Sequence, residues 1–498
     1  MSLSPISAQS SLAIQQLIDM RKQFDDLQRQ LATGQKSATY AGLGLNRGVT
    51  VSLNAQLSTI GGYDQSISNV NTRIGLMNTA LGGMIDLTSI VKKAMAQAPV
   101  GANGSGAVAA QQTAQGSLDQ LLGLLNTPAG DRYLFSGRST DQPAVETVDH
   151  ILNGDGTKAG LKQLISERTQ ADLGAGGLGR VSVGGAGNVT TVTDDTSPFG
   201  LKLASASSTL TNAVVSGPSG SPAVLSVDMS GGNPSDGDTL TLRFNLPDGT
   251  TANVTLTATT SSTPGDNQFS IGTTTGLTAA NLQSALTTAI GKVADTSLIA
   301  ASAVAASNDF FDADAGNPPQ RVDGPPFDTA TGMVAGTTSN SVIWYTGETG
   351  SGSARATATA QIDQSLVVSY GARANEQGIR SLVQNMATLA AVTVSPSDPN
   401  ASDLSGALNQ RLFANINAPG AQSITDIETE LASAQNSVNA AKDRHQQTTA
   451  TLSDFLHQIT GVSNEDVGAQ ILALQTRMQA SMQTTALLFQ TSLVNYLK

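Results

Sequence analysis

Residues Ile427 to Ile459 read IETELASAQNSVNAAKDRHQQTTATLSDFLHQI, and the fold class follows from how they repeat. Ile427, Leu431, Ala434, Val438, Ala441, His445, Thr448, Leu452, Phe455 and Ile459 succeed one another at alternating spacings of four and three. That alternation puts one narrow apolar stripe along a helix that winds around a partner helix. Thr460-Gly461 interrupts it, and Ser463 is placed to cap a second helix. The second helix carries Val467, Ile471, Leu474, Met478, Met482, Ala486, Phe489, Leu493 and Leu497. Its spacing is mostly four, nearer the 3.6 period of a straight helix.

The other end of the chain has the same texture. A helix is predicted over Ser10 to Ala32, with Leu17, Met20, Phe24, Leu27 and Leu31 on one seam. Thr33-Gly34 ends it, and Gly42, Gly44 and Gly48 predict a loop. A second seam comes next: Leu53, Ile60, Ile67, Ile74 and Leu81 recur every seven residues, beside Tyr63, Val70, Met77, Met84 and Val91. At ~1.5 Å per residue this makes a rod of roughly 60 Å up to Met95. Pro99 and VGANGSG break it, and a shorter helix is expected from Ala107 to Asn126. A single stripe is a poor core, because each buried Leu contributes only ~1.5–3 kcal/mol against the entropy of ordering its neighbours. The ends are therefore expected to pair with each other and with copies from other chains, making a homo-oligomer. Intrachain packing is expected at Ile60, Ile67, Ile74 and Leu81 against Leu431, Val438, Leu452 and Phe455. An assembly interface is expected at Leu17, Met20, Phe24, Leu27, Leu31, Ile471, Leu474, Met478, Met482, Phe489, Leu493 and Leu497.

Between the helical ends the texture changes. Asp131 to Arg138 (DRYLFSGR) reads as a strand entering a loop, and Gly174 to Ser353 is rich in Gly, Ser, Thr and Asn. Leu240, Leu242, Phe244 and Leu246 alternate, Pro247-Asp248-Gly249 turns, and Val254 and Leu256 alternate back, a hairpin signal. One helix is expected there, through Leu282, Leu286, Ile290 and Val293. Helical texture returns near Gly371. The expected class is α+β: a long antiparallel helical coiled-coil bundle from both termini, with a β-rich inserted central domain.

Composition excludes several functions. Net charge is −12, which disfavours nucleic acid and an anionic membrane surface. There is no cysteine, so disulfides and thiolate metal sites are excluded. The N-terminus has no basic residue before Arg21 and no continuous apolar core, and no stretch is expected to approach the ~20 apolar residues of a membrane span. His445 and His457 are not at the spacing that puts two imidazoles on one metal, and His445 is expected to set register. Gly174 to Gly179 has the letters of a dinucleotide fingerprint, but the residues after it are strand-like. Asp312, Asp314 and Asp323 lack the flanking helices of a calcium loop. No catalytic, cofactor-binding or metal-ligating residues are expected, and the chain reads as a structural protein rather than an enzyme.

Three passages resemble a family. Gln30-Leu31-Ala32-Thr33-Gly34 followed by Lys36 resembles the turn after the first helix of the bacterial flagellins. Leu122 to Pro143 (LGLLNTPAGDRYLFSGRSTDQP) and Leu487 to Leu497 (LLFQTSLVNYL) are similar to passages of the hook–filament junction branch, hook-associated protein 3; filament flagellin is the second match. The family's acidic segment after the turn is replaced here by Ala41-Gly-Leu-Gly44, and Ser89 to Gln97 (SIVKKAMAQ) departs from the stretch that immune receptors recognise. The resemblance implies a self-assembling axial subunit, extracellular in the flagellum and exported without a cleaved signal peptide. Its implied partners are other hook-associated proteins, flagellin, the export apparatus and a chaperone, with no nucleic acid and no membrane insertion. It further implies that 1–40 and 461–498 form an inner coiled-coil core, 41–150 and 371–460 a long-helix bundle, and 151–370 a variable outer domain. A surface adhesin acting through the central domain is the alternative from another class.

Overall fold

The computed structural model describes residues 4–98, 105–395, 397–416 and 418–496, with side chains from residue 11 to 487 and at 490. Long helices occupy both ends and strands the middle. In chain order, α1 (Ser4–Thr33) leads through a 3₁₀ segment (Tyr40–Asn46) to α2 (Arg47–Gln97) and α3 (Ser105–Leu125). The short pair β1 (Pro128–Ala129) and β2 (Arg132–Tyr133) precedes α4 (Val148–Asn153) and α5 (Leu161–Leu173). Then come β3 (Ser182–Gly184), β4 (Val189–Thr193), β5 (Lys202–Ser208), β6 (Val214–Ser219), β7 (Val224–Asp228), β8 (Thr239–Asn245), β9 (Thr251–Thr259) and β10 (Gln268–Ser270). Helices α6 (Thr275–Val293) and α7 (Ile299–Asp312) are joined by a π-helical turn. The pairs β11 (Arg321–Val322) with β12 (Met333–Val334), and β13 (Thr359–Asp363) with β14 (Leu366–Ser369), precede the last four helices. These are α8 (Gln377–Ala391), α9 (Ala401–Ile416), α10 (Ile424–Thr460) and α11 (Asn464–Tyr496).

The chain divides into two compact units. The smaller gathers residues 1–71, 360–368 and 436–498, and the larger 72–359 and 369–435. In the smaller unit α1 packs along α11, and the end of α1 meets the start of α11: Lys36 N donates to Thr460 O at 2.7 Å, and Val462 N to Gly34 O at 3.0 Å. The two helices therefore run antiparallel. Contacts from α2 to α10 within this unit fall in residue number along α2 as they rise along α10. Asn71 meets Asn439, and Tyr63 and Asp64 meet His445, which is again antiparallel.

In the larger unit two four-stranded sheets share one core with α6. Their orders are β10-β9-β8-β5 and β3-β4-β7-β6, antiparallel throughout except for the β9–β10 pair. Leu240, Leu242 and Phe244 of β8 point into that core with Leu225 and Val227 of β7 and Leu282, Leu286 and Ile290 of α6. The period-2 alternation of β8 and β9 is what a one-face core requires, and the hairpin turns at Gly249 with φ +80°.

Several elements differ from the reading of the sequence. α1 begins at Ser4 rather than Ser10. Of the three glycines expected in a loop, Gly44 takes a positive φ of +57°, whereas Gly48 lies in the first turn of α2. The single helix expected near Leu282 extends through the π turn to Asp312. Most of α7 is buried, from Ala300 to Phe311, because α5, α8 and α9 all pack on it. From Ala300 onward only a narrow strip at Ala305, Asn308, Asp309 and Asp312 stays outside the core, so the apolar pattern is too wide to read as one stripe. Asp131 to Arg138 is mostly turn, its strand limited to Arg132–Tyr133. The expectation that no stretch approaches a membrane-spanning segment is also amended. Tyr40–Gln97 and Thr275–Asp312 each contain an 18-residue window of sufficient length and apolarity, with mean hydropathy 1.4 and 1.3. In the second, more than half of that window is buried in the core of its unit.

Candidate assembly surface

On α1 the seam residues Leu17, Met20, Phe24 and Leu27 are half-buried, and Leu31 is 41% exposed. On α11 Val467 and Leu474 are buried, and Ile471 and Met478 half-buried. Beyond Met478 the covered face continues through Ser481 and Thr485, while Met482 is 49% exposed. The face of α11 thus keeps spacings of four and three, not the run of fours read from the apolar letters. A polar Ser and Thr occupy the seam, and the Met turns outward. The side chains of Phe489 and Leu493, and Leu497 altogether, lie outside the described residues.

The seam of α10 is displaced in the same manner. Ile427, Leu431, Ala434, Val438, Ala441 and His445 are buried in turn. The half-buried positions beyond them are Thr449, Leu452, Leu456 and Ile459, so the step after His445 is four following four. Thr448 and Phe455, read as seam positions, face outward, and Phe455 is 50% exposed. An added step of four locally relaxes the 3.5 period, the signature of a stutter. On α2, Ile67, Ile74 and Leu81 are buried and Ile60 half-buried.

His445 marks the stutter. Its Nδ1 lies 2.9 Å from Asp64 Oδ1 on α2, its Nε2 lies 3.8 Å from Asp363 Oδ2 on β13, and its ring centroid is 5.9 Å from that of Tyr63. Arg444 pairs with the same Asp363 at 3.2 Å. The Gln364 N–H and Arg444 hold the Asp363 carboxyl below the usual range. His150 pairs with Glu146 at 3.1 Å in the other unit, and His457 is exposed. Among the described residues no group of three or more His, Cys, Asp or Glu could hold a metal ion. Asp312 pairs with Arg380, Asp314 accepts from the N–H groups of Gly316 and Asn317, and Asp323 N donates to Gly332 O. Gly174 closes the end of α5, and the glycines after it lead into β3, so no helix N-terminus faces them.

Among the exposed residues of the smaller unit are several large apolar ones. Leu12 is 64% exposed, Leu472 66% and Leu487 61%; Ile14, Ile18, Val49 and Val51 also stand out. In the 3₁₀ segment Leu45 projects fully and Tyr40 is half exposed. Reading the sequence for one stripe per helix missed these flanking positions, although Leu12 and Ile14 are apolar letters just before the seam and Ile18 one within it. Isolated exposed apolar residues are ordinary, but several along the same pair of helices are a surface suited to packing. The chain matches no protein-family model and no curated protein.

Proposed function

We propose that the chain is a self-assembling structural subunit of the bacterial flagellum, of the hook–filament junction kind, and not an enzyme. The observation that carries this is the apolar surface left on α1, α10 and α11 after these helices have covered their seams: Leu12, Ile14, Ile18, Phe455, Leu472, Met482 and Leu487. Fully burying one such side chain contributes ~1.5–3 kcal/mol, so a row of them supplies a strong drive toward other helices. In this reading the antiparallel terminal helices form coiled-coil pairs that bundle with copies from neighbouring subunits. The variable central region, 151–370, then faces outward. The resemblances at Gln30–Lys36, Leu122–Pro143 and Leu487–Leu497 favour the junction over the filament, with hook-associated proteins and flagellin as neighbours and export as an unfolded chain.

Deleting residues 486–498 tests this. The truncated protein is expected to stay soluble and folded in its larger unit yet fail to assemble, and cells carrying it to keep hooks but lose filament subunits to the medium. Normal swimming by that strain would sink the assembly reading. Electron microscopy of a knockout separates the two members of the family: bare hooks indicate the junction, altered filaments the filament.

A further inference from the structure

The larger unit contains a cleft of about 400 Å³ lined by Arg73, Arg132, Arg138, Tyr133 and Tyr370, with no carboxylate in its lining. Three separate segments bring the guanidinium groups together: α2 supplies Arg73, β2 supplies Arg132, and the turn after β2 supplies Arg138. That turn is held against Glu348. Gly137 has φ +65°, and a Cβ there would come within 2.8 Å of the Glu348 side chain, so only glycine allows the approach. Arg138 N donates to Glu348 Oε2 at 2.8 Å, and its guanidinium lies 3.4 Å from Oε1. Arg73 donates to the Tyr370 hydroxyl at 3.0 Å. Arg132 is exposed and has no side-chain hydrogen bond or ion pair among the described residues.

Elsewhere in this unit several deep-set arginines are matched by carboxylates. Arg168 pairs with Asp172, Arg321 with Glu167 and Arg411 with Asp248. Among the described residues only one carboxylate, Glu348, meets the three arginines of the cleft, in a chain whose net charge is −12. A surplus of positive charge on an otherwise acidic molecule attracts anions, and a planar guanidinium matches a carboxylate through two parallel hydrogen bonds.

We propose that this cleft binds carboxylate side chains presented by a second copy of the chain, a polar contact between subunits additional to the apolar one. A second copy is the matching occupant because its 38 acidic against 26 basic residues make carboxylate the group it chiefly presents. This rests on the self-assembly reading for the identity of the occupant, though not for the chemistry of the cleft.

Two measurements on the full-length protein test it. In calorimetric titration at low salt, a hexaglutamate peptide is expected to bind the unassembled protein, and Arg132→Glu to weaken it by about tenfold or more. Because Arg132 is exposed, its circular dichroism spectrum should be unchanged. Inorganic phosphate is the comparison ligand. If phosphate binds as tightly as the peptide and with the same dependence on Arg132, the occupant is a free anion and the second-copy proposal is overturned. No binding of the peptide overturns it as well. In assembly, Arg132→Glu is expected to slow polymerisation most at low ionic strength and less as added salt screens the charge. Wild-type protein that assembles with the same rate as Arg132→Glu leaves the self-assembly reading standing and removes this one. Wild-type protein that never assembles removes the self-assembly reading and the second copy with it, while the peptide titration still decides whether the cleft binds carboxylate.

Discussion

Asp172 is fully buried, and its carboxylate is divided among three donors. Arg168 Nε lies 2.8 Å away, Ser302 Oγ 2.7 Å and Gly200 N 2.8 Å. Removing one partner of a buried pair leaves the other charge uncompensated, so Asp172→Ala should cost about 3–5 kcal/mol in denaturant unfolding. Asp309 is a case of opposite sign. Burial pushes its carboxyl up, although Gln320 N donates to it at 2.6 Å. Its folded pKa lies above the unfolded one, so the unfolded state ionises first and stability falls as pH rises through the carboxylate range. Asp309→Asn, which keeps an acceptor for Gln320, should therefore melt higher than the parent at pH 7, with the difference vanishing below about pH 4. Asp195 slopes the other way. Burial works against its ionisation, but Arg180 and Ser197 outweigh burial and bring it down to about 2. The stability it contributes is complete above the unfolded value of about 3.9 and is lost as pH falls toward the folded one.

Among the elements, α10 offers the sharpest test of register. Val438 is fully buried, whereas Phe455, which the seven-residue repeat would bury, is 50% exposed. Val438→Asp should cost several kcal/mol, about 3–5, and lower the melting temperature of the helical unit. Phe455→Asp should change subunit stability by less than about 0.5 kcal/mol. If the apolar surface is an assembly face, the same Phe455→Asp change should block polymerisation, which light scattering would report. Equal effects of the two substitutions on melting would show that the stutter at His445 is misplaced. α1 and α11 cover each other through one stripe apiece, and an isolated helix gains little from propensity alone. Hydrogen exchange in the unassembled subunit should therefore be faster in α1 and α11 than in α8, almost all of which is buried from Ile379 to Ala391, and should slow on assembly. Equal protection in a verified monomer would remove the case for folding coupled to assembly.

For the whole molecule the two units call for separate deletions. Removing the β-rich part of the larger unit, residues 182–270, is expected to spare assembly if the terminal helices carry it. A loss of surface attachment with motility intact would bring the adhesin alternative forward. Loss of assembly with the deletion would instead place subunit contacts in the deleted strands, apart from the arginine cleft, whose residues Arg73, Arg132, Arg138 and Tyr370 lie outside 182–270.

The sequence by itself determined the long helices at both ends, the hairpin of β8 and β9, and most buried seam positions from Ile427 to His445. Each of these is a local periodicity with one buried face, and local periodicity is what a chain of letters records. It did not determine α7, whose burial on most sides leaves only a narrow strip at Asn308, Asp309 and Asp312 to mark a period, nor the close of the seams at Thr449, Leu456, Ser481 and Thr485. There the covered face is chosen by where the partner helix runs, and the partner accepts Ser and Thr while Phe455 and Met482 are turned out. The arginine cleft was equally out of reach. Arg73 and Arg138 are 65 positions apart in the chain, and only the packing of α2 beside the turn after β2 makes their charges neighbours.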